Sequence, residues 1–115
     1  MRSTKITAIP EYAFYTCENL KEITLPSGLQ TIGTYALSGC PFTYIELPAT
    51  LTHIDNYAFL SCNDLYSVTC NAITPPTLGT NYPFTAGKVQ YLSVPSGYVD
   101  TYKSSDWNKH FTTIR

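Results

Sequence analysis

The sequence predicts an α/β solenoid, a right-handed stack of similar coils built from short parallel strands and short helical turns and closed by an irregular C-terminal cap. Two observations predict it. The first is self-similarity: Glu18–Ile32 reads ENLKEITLPSGLQTI and is answered by PFTYIELPATLTHI at 41–54, while EYAFYTC, TYALSGC and NYAFLSC follow one another along the chain. The second is the position of the cysteines, with Cys17, Cys40 and Cys62 at one place in successive repeats, 23 and then 22 residues apart. A short unit with one apolar side cannot bury that side alone; stacking on its neighbours buries it.

Each repeat divides into three pieces. The trio Leu20, Ile23, Leu25 recurs as Phe42, Ile45, Leu47 and as Leu65, Val68, Cys70. Its alternating end reads as a half-buried strand, with Ile23 and Leu25 inward and Glu22 and Thr24 outward. Pro26 and Pro48 follow at the point where a ladder must stop, since proline has no N–H to donate. Next comes a second extended piece ending in Ile9, Ile32 or Ile54. The third piece carries Tyr12-Ala13-Phe14, Tyr35-Ala36-Leu37 or Tyr57-Ala58-Phe59 ahead of its cysteine, at about helical spacing, and Asp55 is placed to cap it. One or two turns of helix are expected there. The second unit is one residue shorter at Pro41, which accounts for the change of spacing.

The pattern starts within a unit, because Ile6–Ile9 matches Leu29–Ile32 with no strand before it. An open N-terminal end is therefore expected, covered by further repeats, a cap, a partner or a second copy. After Cys70 the period breaks in NAITPPTLGTNYPFTAG, expected as an irregular loop in a fourth unit. Val89–Pro95 restores the strand and its proline. Tyr98, Val99 and Tyr102 at helical spacing, then Trp107, Phe111 and Ile114, predict a short helix and a final extended segment. The expected division is a solenoid over residues 1–95 and a cap over 96–115.

Bulk properties exclude several functions. The chain of 115 residues has a formal net charge of −1 and only 13% charged residues. It offers no basic stripe for a nucleic-acid backbone. No apolar run approaches the roughly 20 residues that span a bilayer, and the N-terminus has no stretch of signal-peptide length. A cysteine recurring at the repeat period is a small buried rung rather than a staple. With no CxxC and no histidine near a cysteine, no metal or other cofactor is expected. GxSxG, HExxH and phosphate-loop motifs are absent, and no catalytic residue is assigned. His53 stands where Thr31 and Ala8 stand in other units and reads as a surface residue; His110, Asp100 and Asp106 read as parts of the cap.

What remains for function is the outward row of the strands. Parallel neighbours lie about 4.8 Å apart, so outward residues form two columns. One runs Glu22, Tyr44, Ser67, Tyr91; the other runs Thr24, Glu46, Thr69, Ser93. Tyrosines among acids and hydroxyls on a concave sheet suit a protein or glycan partner.

These motifs resemble the BspA-type leucine-rich repeat, with a consensus close to LxxIxLPxxLxxIGxxAFxxCxx. The likeness is carried by LKEITLPSGLQTIGTYALSGCP and FTYIELPATLTHIDNYAFLSCND, over about residues 6 to 70. The departures are Leu37, the deletion at Pro41 and Cys70 in a strand, all compatible with a core. The tail is similar to the segment common after such repeats in surface proteins of gut and oral Bacteroidetes. The resemblance implies a leucine-rich-repeat fold in a cell-surface or secreted protein that adheres to host extracellular proteins or other cells. A spacer or self-associating module, joined through the open N-terminal end, is the competing reading.

Overall fold

The computed structural model of the chain describes residues 6–85 and 87–115. Two four-stranded parallel sheets run along the stack. One contains β1 (Ala8–Ile9), β2 (Thr31–Ile32), β4 (His53–Ile54) and β6 (Thr77–Leu78), in that order. The other contains β3 (Tyr44–Leu47), β5 (Ser67–Cys70), β7 (Val89–Ser93) and β8 (Phe111–Ile114). Successive strands within a sheet come from successive coils, so this is a solenoid. What precedes Ile6, and with it the expected open end, lies outside the described residues.

The core is a set of rungs. Ile9, Ile32 and Ile54 are buried in register beneath the first sheet, and Ile45 lies beside Val68, which lies beside Leu92, beneath the second. The period-2 alternation holds in β3, where Tyr44 and Glu46 are exposed and Ile45 and Leu47 buried. Cys70 takes an aliphatic position opposite Leu47 and is buried.

The expected helical turns are not helices. Over Glu11–Cys17 and its equivalents the backbone makes chained turns, and its N–H groups split between two destinations. Ala13, Tyr15 and Cys17 donate back to Pro10, Tyr12 and Phe14 within the coil. Tyr12, Phe14 and Thr16 donate to Thr34, Ala36 and Ser38 of the next coil, at 3.0, 2.8 and 2.8 Å. The conformation demands left-handed residues, and Tyr12, Tyr35 and Tyr57 sit at φ of 60°, 60° and 61°. A helix spends its N–H groups internally, whereas this turn gives half of them to the stack. Asp55 accordingly accepts from the adjacent Asn56 N–H at 2.8 Å and caps a turn, not a helix.

Two further expectations are corrected. Leu20–Leu25 forms no strand, and its inward residues Ile23 and Leu25 are only half-buried. Within the fourth unit, the stretch after Cys70 is not an irregular loop but keeps the cross-coil bonding of the other coils. Leu78 lies beside Ile54, Tyr57 N–H donates to Asn81, and Phe59 N–H to Pro83. Phe84 takes the place of Phe59 and stacks on it at 5.3 Å.

The C-terminal segment closes the stack as expected, through α1 (Val99–Lys103), a 3-10 turn (Asp106–His110) and β8. Trp107 stacks on Phe111 at 5.8 Å and lies 5.3 Å from Phe84. The Tyr102 hydroxyl donates to the Ala72 carbonyl at 2.6 Å, and Trp107 Nε1–H to the Pro76 carbonyl at 2.8 Å. The cap is thus tied to the fourth coil by aromatic contacts and by buried hydrogen bonds.

Candidate functional site

The two predicted columns are present over their last three members. Tyr44 lies beside Ser67 and Ser67 beside Tyr91; Glu46 lies beside Thr69 and Thr69 beside Ser93. Glu22 and Thr24 are exposed but sit on the segment that has not joined the sheet. The result is a cleft of about 930 Å³ between that segment and β3. Glu22, Thr24, Tyr44 and Glu46 all line it, together with Lys21, Ile23, Thr43 and Asn71, which the column argument did not single out.

Cross-coil bonds hold the cleft's side chains. The Tyr44 hydroxyl donates to Thr69 Oγ1 at 3.1 Å, and Asn71 Nδ2 donates to Glu46 Oε2 at 2.8 Å. Tyr44 remains 47% exposed, so its ring is positioned but still available. The far end of the face is occupied differently. The Arg115 guanidinium lies 4.0 Å from the Tyr91 ring centroid, and Tyr66 meets that ring edge-on at 5.3 Å. Thus Tyr44 faces an open cleft while Tyr91 is contacted by side chains of its own chain. The Tyr66 hydroxyl is held above its ordinary range chiefly by the neighbouring Tyr91.

A second exposed feature, absent from the column argument, lies on the turn face. Tyr12, Tyr35 and Tyr57 stack ring on ring at 5.0 and 4.8 Å, with Tyr15 edge-on to the first two. Tyr82, also left-handed at φ 45°, takes the equivalent backbone position in the fourth coil. The signal was in the sequence as Asn81-Tyr82-Pro83-Phe84 after Asn56-Tyr57-Ala58-Phe59. Desolvation by the neighbouring rings comes first in raising the Tyr35 hydroxyl above its ordinary value.

The four cysteines are free thiols. Cys40 and Cys62 are buried, and their S–H groups donate to the Phe14 and Leu37 carbonyls of the preceding coil at 3.3 and 3.1 Å. Burial pushes the Cys62 thiol up to about 12. His53 is partly exposed, with Nδ1 2.6 Å from Thr77 Oγ1 and Nε2 3.8 Å from Asp55. His110 packs at 5.8 Å from the Phe84 ring, and burial lowers its pKa below 6.5, with Lys109 adding to the effect. Among the described residues no three His, Cys, Asp or Glu side chains are grouped to hold a metal ion. None of their helices is long and apolar enough to cross a membrane.

The family model described as BspA type leucine rich repeat region, with six copies, matches residues 2–105. The chain belongs to the BspA-type leucine-rich repeat family. The match runs well past residue 70, in keeping with the divergent fourth coil and the strand that follows it. No curated protein matches the chain. BspA-type repeats form scaffolds for interaction or structure.

Proposed function

We propose that the chain is a non-catalytic binding module of a cell-surface or secreted bacterial protein, and that it engages a protein or glycan partner through the strand face. The observation that carries this reading is the open cleft, which gathers Glu22, Thr24, Tyr44 and Glu46 around an accessible aromatic ring. Ser67, Thr69, Tyr91 and Ser93 extend the surface beyond it. Tyrosine supplies a large contact area with a polar tip and little entropy to lose. Adhesion to host extracellular proteins is the use that the family resemblance suggests.

The reading is tested by screening against a glycan array and a panel of extracellular-matrix proteins, followed by the double substitution Tyr44→Ala, Tyr91→Ala. Affinity for any partner found is expected to fall by roughly tenfold or more, as for interface tyrosines. Unchanged affinity would remove the face as the site. A spacer reading draws on the Tyr91 end, where Arg115 and Tyr66 occupy the ring; it predicts that no partner is found in the screen. Self-association draws on Ile6, Tyr12 and Tyr15, each exposed in the first coil. Light scattering on the same samples separates it, since a spacer that does not associate stays monomeric at all concentrations.

A further inference from the structure

Coils one and two are joined on two of their three faces and apart on the third. In the first sheet Gln30 and Thr31 N–H donate to Thr7 and Gly33 N–H to Ile9; on the turn face Tyr12, Phe14 and Thr16 donate across. On the strand face, none of the backbone hydrogen bonds among the described residues links segment 20–25 to β3. On its other side β3 is fully engaged. Tyr66 and Ser67 N–H donate to the Thr43 carbonyl, and Asn71 N–H to Leu47. Successive residues of a strand turn their backbone groups to opposite edges. Tyr44 and Glu46 therefore aim their N–H and C=O into the cleft, where they meet no backbone partner among the described residues.

We infer that the cleft is a strand-addition site, taking an extended basic peptide whose backbone pairs with Tyr44 and Glu46 along the free edge of β3. An edge of this kind is a template for another chain, and its backbone row sets the occupant's conformation. The occupant's charge follows from Glu22 and Glu46, which line the cleft and outweigh Lys21 beside them; Asn71 engages one Glu46 oxygen and leaves the other. Half-buried Ile23 and Leu25 offer apolar surface on the opposite wall. Side chains of a β-strand alternate, so lysines at every second position reach the carboxylates while β-branched residues between them face inward.

The inference rests on the strand face being the binding surface and adds what binds there and how. Its probe is a blocked hexapeptide alternating lysine and valine, titrated against the intact chain. Binding is expected, with a loss of roughly tenfold or more when alternate peptide nitrogens are methylated, because each methyl removes a backbone donor. Equal binding of the methylated peptide, or none by the parent peptide, overturns the inference. In the protein, Glu46→Pro removes an N–H that β5 does not use, together with the carboxylate, and an edge strand tolerates proline there. It should abolish binding, whereas Glu46→Gln, which keeps that N–H and loses only the charge, should weaken binding without abolishing it. Native-state amide exchange gives an independent check. In the free protein Tyr44 and Glu46 amides should exchange faster than those of Ile45 and Leu47 and become protected with the peptide. Equal protection beforehand would mean that segment 20–25 already pairs with β3, which overturns the inference. If Tyr44→Ala, Tyr91→Ala weakens a natural partner while Glu46→Pro does not, the side-chain face stands and the edge falls.

Discussion

At the scale of single residues, the chain is shaped by what fits between coils. A Cβ on Gly33 would lie 2.9 Å from both the Glu11 nitrogen and the Ile9 carbonyl oxygen, so glycine is needed for this close approach. The tyrosines at Tyr12, Tyr35 and Tyr57 take the opposite course, holding a left-handed backbone that costs of order 1–3 kcal/mol for a non-glycine residue. Each stacked ring pair returns about 0.5–1.5 kcal/mol beyond its burial. The cysteines show burial governing reactivity, since the thiolate is the nucleophile and a buried thiol resists forming it. Burial raises Cys40 and Cys70 and pushes Cys62 up to about 12. With a thiol-specific reagent at neutral pH, half-buried Cys17 should react first. Cys40, Cys62 and Cys70 should react only at the rate of unfolding. Rapid labelling of all four in the native state would contradict the rung assignment.

At the scale of elements, each coil face uses its backbone differently. The sheets give theirs to neighbouring strands, and the turn face divides its donors between its own turns and the next coil. That division could not be read from the YAF…C spacing, which matches a helix equally well because both conformations place the same residues inward. Nor could the failure of Leu20–Leu25 to pair. Its LxxIxL pattern is as good as that of β3, but pairing is a relation between two coils and not a property of one segment. The fourth coil was legible in NYPF, but its flanking prolines and glycines read as a break. Among the elements, α1 is held by one buried residue. Tyr102 donates to the Ala72 carbonyl and approaches Cys70 Sγ at 3.3 Å. Tyr102→Phe keeps the ring and strands that carbonyl, which costs about 1–3 kcal/mol. Denaturant unfolding should show a lower midpoint at unchanged slope. A midpoint within error of the parent would mean that the ring alone secures the cap.

At the scale of the whole molecule, the radius of gyration is 13.2 Å. That is close to the ~13 Å of a globular domain of this length. So few coils make a stack no longer than an ordinary domain, and the cap and coils share one core. Loss of the cap should therefore be felt throughout, and His110 offers a handle on it. Its pKa is lowered by burial first and by Lys109 second, with Asp106 opposing. The unfolded chain thus binds a proton more readily than the folded one. This contribution to stability is whole above pH 6.5, falls as pH drops below that value and levels off below the folded pKa. Melting temperature should decline on acidification through this window, and His110→Gln should flatten that part of the decline. An identical profile in the variant would assign the decline to other groups.

The sequence by itself determined the repeat, the register of its apolar rungs, the place of the cysteines in the core and the residues left on the outward face. These follow from periodicity, since coils of one pattern turn the same positions inward and bury them wherever a neighbouring coil covers them. Only the tertiary structure decided how the turn face bonds, that Tyr91 is covered by Arg115, and that the first two coils part at β3. Each depends on how one coil meets another, where backbone groups of separate segments either find each other or do not. That difference turned two columns of exposed side chains into a cleft with a free strand edge.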